Sequence, residues 1–253
     1  MKICIVGGDG FIGQWVVNEL LLRGHSAVVI GRSDEPKFVM ENVEYVSSNY
    51  EYQIKIRPVL ERVDGLIHLA SSTIPSTSVT DPSLDFTTNV LPSLTLFQEA
   101  AEVELSKLLF VSSGGTVYGD VEVLPIHENS ATNPISSYGI SKLAIERYAD
   151  MFYRLKGLNT TVVRPANAYG VGRDGQLGRG FITQVICALV YGSPLQVFGD
   201  GSNVRDYVHV KDIARGIMTI FEDSSSDRVY NIGTGKRIRN NGRATIYITN
   251  QSG

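Results

Sequence analysis

"IVGGDGFIGQ", residues 5–14, decides how this chain is read. Gly7, Gly10 and Gly13 recur every third position directly after an apolar run. Glycine inside a strand or helix costs about 0.5–1 kcal/mol relative to alanine, so three of them at the passage from one element to the next require a reason. "KICIV" before them has the texture of a buried strand, and "FIGQWVVNELLLRG" after them that of a helix over 11–23. Its Ile12, Val16 and Leu20 share a face with Trp15, and Gly24 is placed as a C-cap. In a strand–turn–helix unit of this kind the first glycine permits the tight turn. The second lets the backbone approach a pyrophosphate, and the third lets helix and strand pack closely. Phosphates would then sit against the N–H groups and positive dipole at the helix start.

Outward from that turn, apolar runs alternate with helical patterns. "SAVVI", "DGLIHLA" (64–70), "LLFVSS" (108–113), "NTTVVR" and "RVYNIG" read as strands. The runs are continuous, as befits parallel strands covered on both faces. "FTTNVLPSLTLFQEAAEV" has helical spacing, with Pro92 expected to start a new turn or kink it. "SSYGISKLAIERYADMFYRL" (136–155) carries one stripe of Ile140, Leu143, Ala144, Tyr148, Met151, Phe152 and Leu155. "FITQVICALVYG" and "DIARGIMTIFED" are later helices. The expected fold class is α/β, a doubly wound parallel sheet. Glycine, tyrosine and polar loops become denser after Pro165. The expected division is a dinucleotide-binding domain over 1–165, its sheet completed by a strand near 228–232, and a smaller lobe over 166–253.

Composition excludes other classes. The 253 residues are 43% hydrophobic and 19% charged, with a net charge of −3. No basic excess points to nucleic acid, and no apolar run approaches the roughly 18 residues of a membrane helix. The chain enters a strand directly from its first residues, without a leader pattern, and Cys4 and Cys187 imply no disulfide framework. The expected setting is the cytoplasm. His25, His68, His127 and His209 lack metal-ligand spacing and are read as structural, so no metal site is expected.

Two further features bear on chemistry. Cofactor choice is read where the second strand ends, about 20 residues after the turn, by an acid for ribose hydroxyls or an arginine for a 2′-phosphate. Here Gly31 stands in the acid's place and Arg32 follows, which leans towards NADP(H). The alternative is an arginine stacked on adenine, with the 2′-hydroxyl served by backbone and NAD as the cofactor. "YGISK" places Tyr138 and Lys142 four apart on one helix face. A nearby ammonium, helped by a positive nicotinamide ring, would lower the phenol's pKa from its ordinary value near 10. Such a tyrosine moves a proton at an alcohol or carbonyl while hydride moves to or from the nicotinamide.

With "GGDGFIG", "HLA", Asn89 in "TTNV", "SSGGTVYG", "YGISK", "RPANAYG" and "GDGSNVRDYVHVKDIARG" in order from residue 3 to about 235, the chain resembles the extended short-chain dehydrogenase/reductase superfamily. Within it, the chain is most similar to the UDP-galactose 4-epimerase group of the NAD-dependent epimerase/dehydratases. The resemblance implies a Rossmann-type sheet, a dinucleotide cofactor, a nucleotide-sugar substrate and a homodimer paired through the helices of 82–103 and 137–155. It makes Tyr138 the acid/base and has Lys142 also hold the nicotinamide ribose. Phe11 and Ile12, between the last two glycines, join them as cofactor-binding residues. Leu69, Ala70 and Ser71 would line the cofactor cleft, and Asn89 would fix the tyrosine helix or the cofactor. Asn167 would touch the sugar or diphosphate, and Arg205 would bind the diphosphate, for which its planar fork is suited. A structural Asn89, and an Arg205 paired with Asp206 or Asp212, are the plain alternatives.

The sequence departs from the family pattern twice. The third serine of the usual run, catalytic in the epimerases, is Gly114 here, so the sugar 4-hydroxyl needs another partner: Thr116 first, Ser113 second. After "YNIGTG" the tail "KRIRNNGRATIYITNQSG" has no helical period, which implies an incomplete C-terminal substrate lobe. The leading expectation is a UDP-hexose-class 4-epimerase working through a transient 4-keto sugar on a retained dinucleotide. Its rivals are an NADPH-dependent reductase of a nucleotide-linked 4-keto-6-deoxy sugar and a non-catalytic dinucleotide-binding remnant. The hydroxyl-rich stretch "STIPSTSVTDP" (72–82) follows a strand's carboxyl end, where ligands bind in such sheets, and is a further sugar-contact candidate.

Overall fold

In the computed structural model, which describes residues 1–48, 56–121, 123–173, 175, 180–192, 204–236 and 238–239, the apolar runs become the strands of one parallel sheet. In chain order the elements begin with β1 (Lys2–Val6), α1 (Gly13–Leu22), β2 (Ser26–Gly31), β3 (Val43–Ser47), α2 (Arg57–Leu60) and β4 (Gly65–His68). Next come the short α3 (Pro75–Ser78) and α4 (Pro82–Asp85), a π-helical turn over Phe86–Val90, α5 (Leu91–Glu102) and β5 (Leu108–Val111). Then follow α6 (Ser137–Lys156), β6 (Thr160–Pro165), β7 (Asn167–Tyr169) and α7 (Phe181–Tyr191). The last are β8 (Val204–Arg205), β9 (Tyr207–His209), α8 (Val210–Glu222), β10 (Val229–Ile232) and β11 (Ile238–Arg239).

The seven-stranded sheet has the order β10-β6-β5-β4-β1-β2-β3, every neighbouring pair parallel. The order reverses between β1 and β4, the switch point at which a doubly wound sheet opens a crevice at its strands' carboxyl ends. Alternation along β1 feeds two separate cores. Cys4 and Val6 pack with Phe97, Ala100, Ile145 and Ala149 on one side. Ile3 and Ile5 pack with Val16, Leu20, Ile213 and Ile217 on the other. Beyond Pro165 the chain returns to this sheet twice: α8 packs against α1, and β10 pairs with β6 from Val229 opposite Val162 to Ile232 opposite Pro165.

Two helical expectations are corrected. α1 starts at Gly13 instead of residue 11, because residues 10–12 complete the turn, with Gln14 N–H donating to the Gly10 carbonyl. Trp15 packs beside Ile12 against the cluster that holds Val16 and Leu20, while its indole N–H donates to the Val171 carbonyl at 2.9 Å, with Lys211 Nζ 4.6 Å above its ring. On α6 the apolar stripe turns outward, where Ile140, Tyr148, Met151 and Leu155 are exposed. The buried face holds Ser141, Lys142, Ile145, Glu146, Ala149 and Phe152. That polar burial is tolerated because Glu146 is paired to Arg164 and Lys142 and Ser141 each find an acceptor. Pro92 sits in the first turn of α5, and the π-helical turn before it takes up the register change. The tail after residue 239, with the expected incompleteness of the C-terminal lobe, lies outside the described residues, as does the "GDGSN" part of the motif at 199–203.

Candidate active site

Gly7 opens the site. It follows β1 with φ +84°, a conformation L side chains resist, and its N–H donates to the Ile30 carbonyl at the end of β2. A Cβ there would lie 2.8 Å from the Ala70 nitrogen, so the turns after β1 and β4 touch at the switch point. A Cβ on Gly13 would collide with the Gly7 carbonyl and the Gly8 backbone, which closes helix onto strand. Above them lies a cleft of about 550 Å³. Gly7, Gly10, Phe11, Ile12 and Gly13 line it, and so does Arg32. Leu69, Ala70 and Ser71 line it as well, with Ser113, Tyr138 and Lys142. The start of α1 has no side-chain cap and no acid in its first turn, so nothing from its own residues competes for an anion there.

α6 carries the candidate pair Tyr138 and Lys142. Ser136 caps it by accepting from Gly139 N–H at 3.2 Å, and Ser78 Oγ accepts from Tyr138 N–H at 3.1 Å. Lys142 Nζ donates to the Val111 carbonyl at 3.1 Å and lies 4.9 Å from the Phe110 ring centroid and 5.7 Å from that of Tyr138. Burial lowers Lys142 to about 8, against the charges of Glu146 and Asp85. Burial raises the Tyr138 phenol to about 12, against a hydrogen bond with the Ser71 side chain. The expected lowering of Tyr138 by its lysine is therefore corrected. Burial prevails, and Lys142 points its ammonium at a backbone carbonyl.

Asn89 is buried behind the cleft. Its Oδ1 accepts from Ser72 N–H at 2.8 Å and Ser71 Oγ at 3.3 Å, and its Nδ2 donates to Thr73 Oγ1 at 2.9 Å. It thus holds the loop from which Ser71 meets Tyr138. Asp85, which sequence reasoning misses, accepts from Ser137 Oγ at 3.0 Å, Ser141 Oγ at 2.5 Å and the Thr73 hydroxyl. Its spacing of four from Asn89 within a helical stretch is the signal that could have found it.

Gly114 has a steric explanation. A Cβ there would stand 2.9 Å from the Arg164 carbonyl and 3.1 Å from that of Pro165, so no serine fits on this backbone. Thr116 Oγ1 is buried without a hydrogen-bond partner among the described residues, and its carbonyl lies against Gly139, next to Tyr138. Thr116 lies outside the cleft lining, as do Asn167 and Arg205. Asn167 Nδ2 donates to the Asp206 carbonyl at 3.1 Å, and its amide faces Gly115. Arg205 is exposed and donates to the Val204 carbonyl. Asp206 accepts instead from Thr234 and Gly235, and Asp212 pairs with Arg215, so neither plain alternative for Arg205 holds.

The model of the NAD dependent epimerase/dehydratase family matches residues 3–233. The chain belongs to that family. It is 32% identical over 245 residues to the UDP-glucose 4-epimerase of Mycolicibacterium smegmatis, covering 93% of this chain and 78% of that protein. Among solved structures, the Thermotoga maritima UDP-glucose 4-epimerase with UDP-glucose is similar at TM-score 0.87 and 34% identity, covering 95% of this chain and 79% of that one. The Thermus thermophilus UDP-glucose 4-epimerase in complex with NAD is similar at TM-score 0.84 and 30% identity, covering 95% and 80%. No helix among the described residues is long and apolar enough to cross a membrane.

Proposed function

We propose that this protein is an NAD-dependent 4-epimerase of a UDP-hexose. The observation that carries the reading is Tyr138 beside Lys142, the ammonium 5.7 Å from its ring centroid, in a cleft that the glycine turn also lines. A dinucleotide held by the glycine turn and the Leu69–Ser71 segment would supply the hydride acceptor and donor. Tyr138 takes the proton from the sugar 4-hydroxyl as that carbon is oxidised and gives it back after the 4-keto sugar has turned over. Lys142 would hold the nicotinamide ribose, and its charge together with that of the nicotinamide ring would oppose the upward push of burial on the phenol. Thr116, its hydroxyl without a partner among the described residues, hydrogen-bonds the 4-oxygen, with Ser113 as the second donor. Asn167 touches the sugar or diphosphate, and Arg205 closes on the diphosphate. The glycines with Phe11 and Ile12 seat the pyrophosphate, Arg32 lies by the adenosine end, and Leu69, Ala70 and Asn89 shape the same cleft.

We divide the chain into a dinucleotide-binding unit over 1–165, which β10 extends, and a nucleotide-sugar lobe over 166–253. The outward apolar face of α6 supports a homodimer, since exposed Ile140, Tyr148, Met151 and Leu155 with Phe86 and Leu91 make a patch fit for a second copy. Two free cysteines suit the reduced cytoplasm.

The test is to denature fresh protein and identify the released nucleotide by chromatography. About one NAD(H) per chain is expected. Empty protein that consumes NADPH stoichiometrically with a 4-keto sugar would replace this reading with a reductase.

A further inference from the structure

Gly31 ends β2 where an acid would grip the adenosine ribose, and the space its side chain would fill is not empty. A Cβ on Gly31 would lie 2.8 Å from Asp9 Oδ2, 2.9 Å from Asp9 Cγ and 2.5 Å from the Tyr45 hydroxyl. The carboxylate missing from the strand has thus been replaced from the glycine turn. Asp9 sits between Gly7 and Gly10, and its carboxylate lies at the end of β2. Tyr45, on the neighbouring β3, donates its hydroxyl to the Ser33 carbonyl at 2.9 Å and so fixes the loop after β2. Burial and the Asp9 charge together hold the Tyr45 phenol above its ordinary value, which places that charge beside it. Asp9, Gly31, Arg32, Ser33 and Lys37 line the same end of the cleft.

We infer that Asp9 reads the adenosine ribose, accepting hydrogen bonds from its 2′- and 3′-hydroxyls, and makes the cleft select NAD over the 2′-phosphorylated dinucleotide. A carboxylate accepts two hydroxyl donors in charge-assisted hydrogen bonds but repels a phosphate at the same place. The absence of a side chain at residue 31 is what gives Asp9 room, so the two positions act as one exchange: acid on the turn, glycine on the strand. Arg32 and Lys37 compete with this effect, since both cations would welcome a phosphate. The geometry favours Asp9 because its carboxylate lies over the strand end itself.

This inference rests on the cleft being the dinucleotide site, and the experiment separates the two. The full chain, first freed of retained nucleotide by reversible unfolding and refolded, is dialysed against mixtures of labelled NAD⁺ and NADP⁺, and the ratio bound is measured for the parent and for D9N. The parent is expected to hold NAD⁺ in preference, and D9N to lower that preference about tenfold or more, the scale of lost hydrogen bonds to a charged group. The triple variant D9A/G31D/Y45F, which returns a carboxylate from the strand and removes the hydroxyl in its way, is expected to restore the preference. A parent that prefers NADP⁺, or a D9N ratio unchanged within twofold, would overturn the role of Asp9 while leaving the cleft's assignment intact. Binding of neither dinucleotide would overturn both.

Discussion

Ser141 donates to Asp85 at 2.5 Å, and this hydrogen bond ties the helix that carries Tyr138 to the short helix beneath it. Ser137 adds a second at 3.0 Å, one residue before Tyr138, and the Asn89 amide a third from the side of the cleft loop. Hydrogen bonds to a charged group contribute about 1.5–3 kcal/mol each when buried. D85N places a donor among donors. It is expected to destabilise the protein by about 2–4 kcal/mol, measured by urea unfolding, and to lower kcat at temperatures where the variant remains folded.

Tyr138 itself gives the opposite pattern. Y138F removes the proton carrier and one hydroxyl contact with Ser71. Epimerisation is expected to fall by about 10²–10⁴ while stability changes by less than about 1 kcal/mol, since general acid–base catalysis is worth that much and one neutral hydrogen bond little. Equal losses in both would contradict the role.

The serine position and its substitute separate in the same way. G114S must push a Cβ against the Arg164 carbonyl, and about 1–3 kcal/mol of stability is expected to be lost with no gain in rate. T116V removes a buried hydroxyl that has no partner among the described residues, so stability is expected to stay level or rise. Its kcat is expected to fall about tenfold to a hundredfold, the effect of one lost hydrogen bond to the reacting oxygen.

Acid and base act on two buried groups with the same sign. Burial holds His68 at about 3, with the Lys142 charge acting the same way, and burial holds Lys142 at about 8. In both, the unfolded chain binds the proton that the folded protein refuses, so stability rises with pH between the folded and unfolded values. The His68 contribution is complete above about pH 6.5 and is lost as pH falls towards 3; that of Lys142 grows from pH 8 to about 10.5. H68F and K142M are expected to flatten the unfolding free energy in the acid and alkaline windows respectively. Unfolding titrations at several pH values check this.

The outward stripe of α6 predicts a change of assembly. L155E and M151E put charge on exposed apolar positions and touch no buried packing. Sedimentation equilibrium is expected to show a dimer for the parent and a monomer for the pair of substitutions.

The sheet was legible because its signals are local. Continuous apolar runs, the three glycines and the Tyr138–Lys142 spacing each declare an element or a turn within a few residues. The cleft that Gly7, Ala70, Tyr138 and Lys142 line lies where those signals converge. What the sequence concealed depends on distant backbone. Glycine at 114 reads as a lost catalytic residue until the Arg164 carbonyl is seen beside it. Glycine at 31 reads as an opening for phosphate until Asp9 is found across from it. The stripe on α6 carries the pattern of a core face, and only the sheet's position shows that Ser141, Lys142 and Glu146 turn inward instead. The phenol of Tyr138 moved against expectation because spacing reports neighbours and says nothing of burial.

The most direct measurement follows the hydrogen at C4. UDP-galactose carrying deuterium at C4 is incubated with the purified full chain in ordinary water without added dinucleotide, and the UDP-glucose formed is analysed by mass spectrometry. The account predicts that product appears with its deuterium retained, since the hydride leaves and returns within one site. Deuterium found on free dinucleotide, or no epimer formed while protein-bound NAD stays intact, would contradict it.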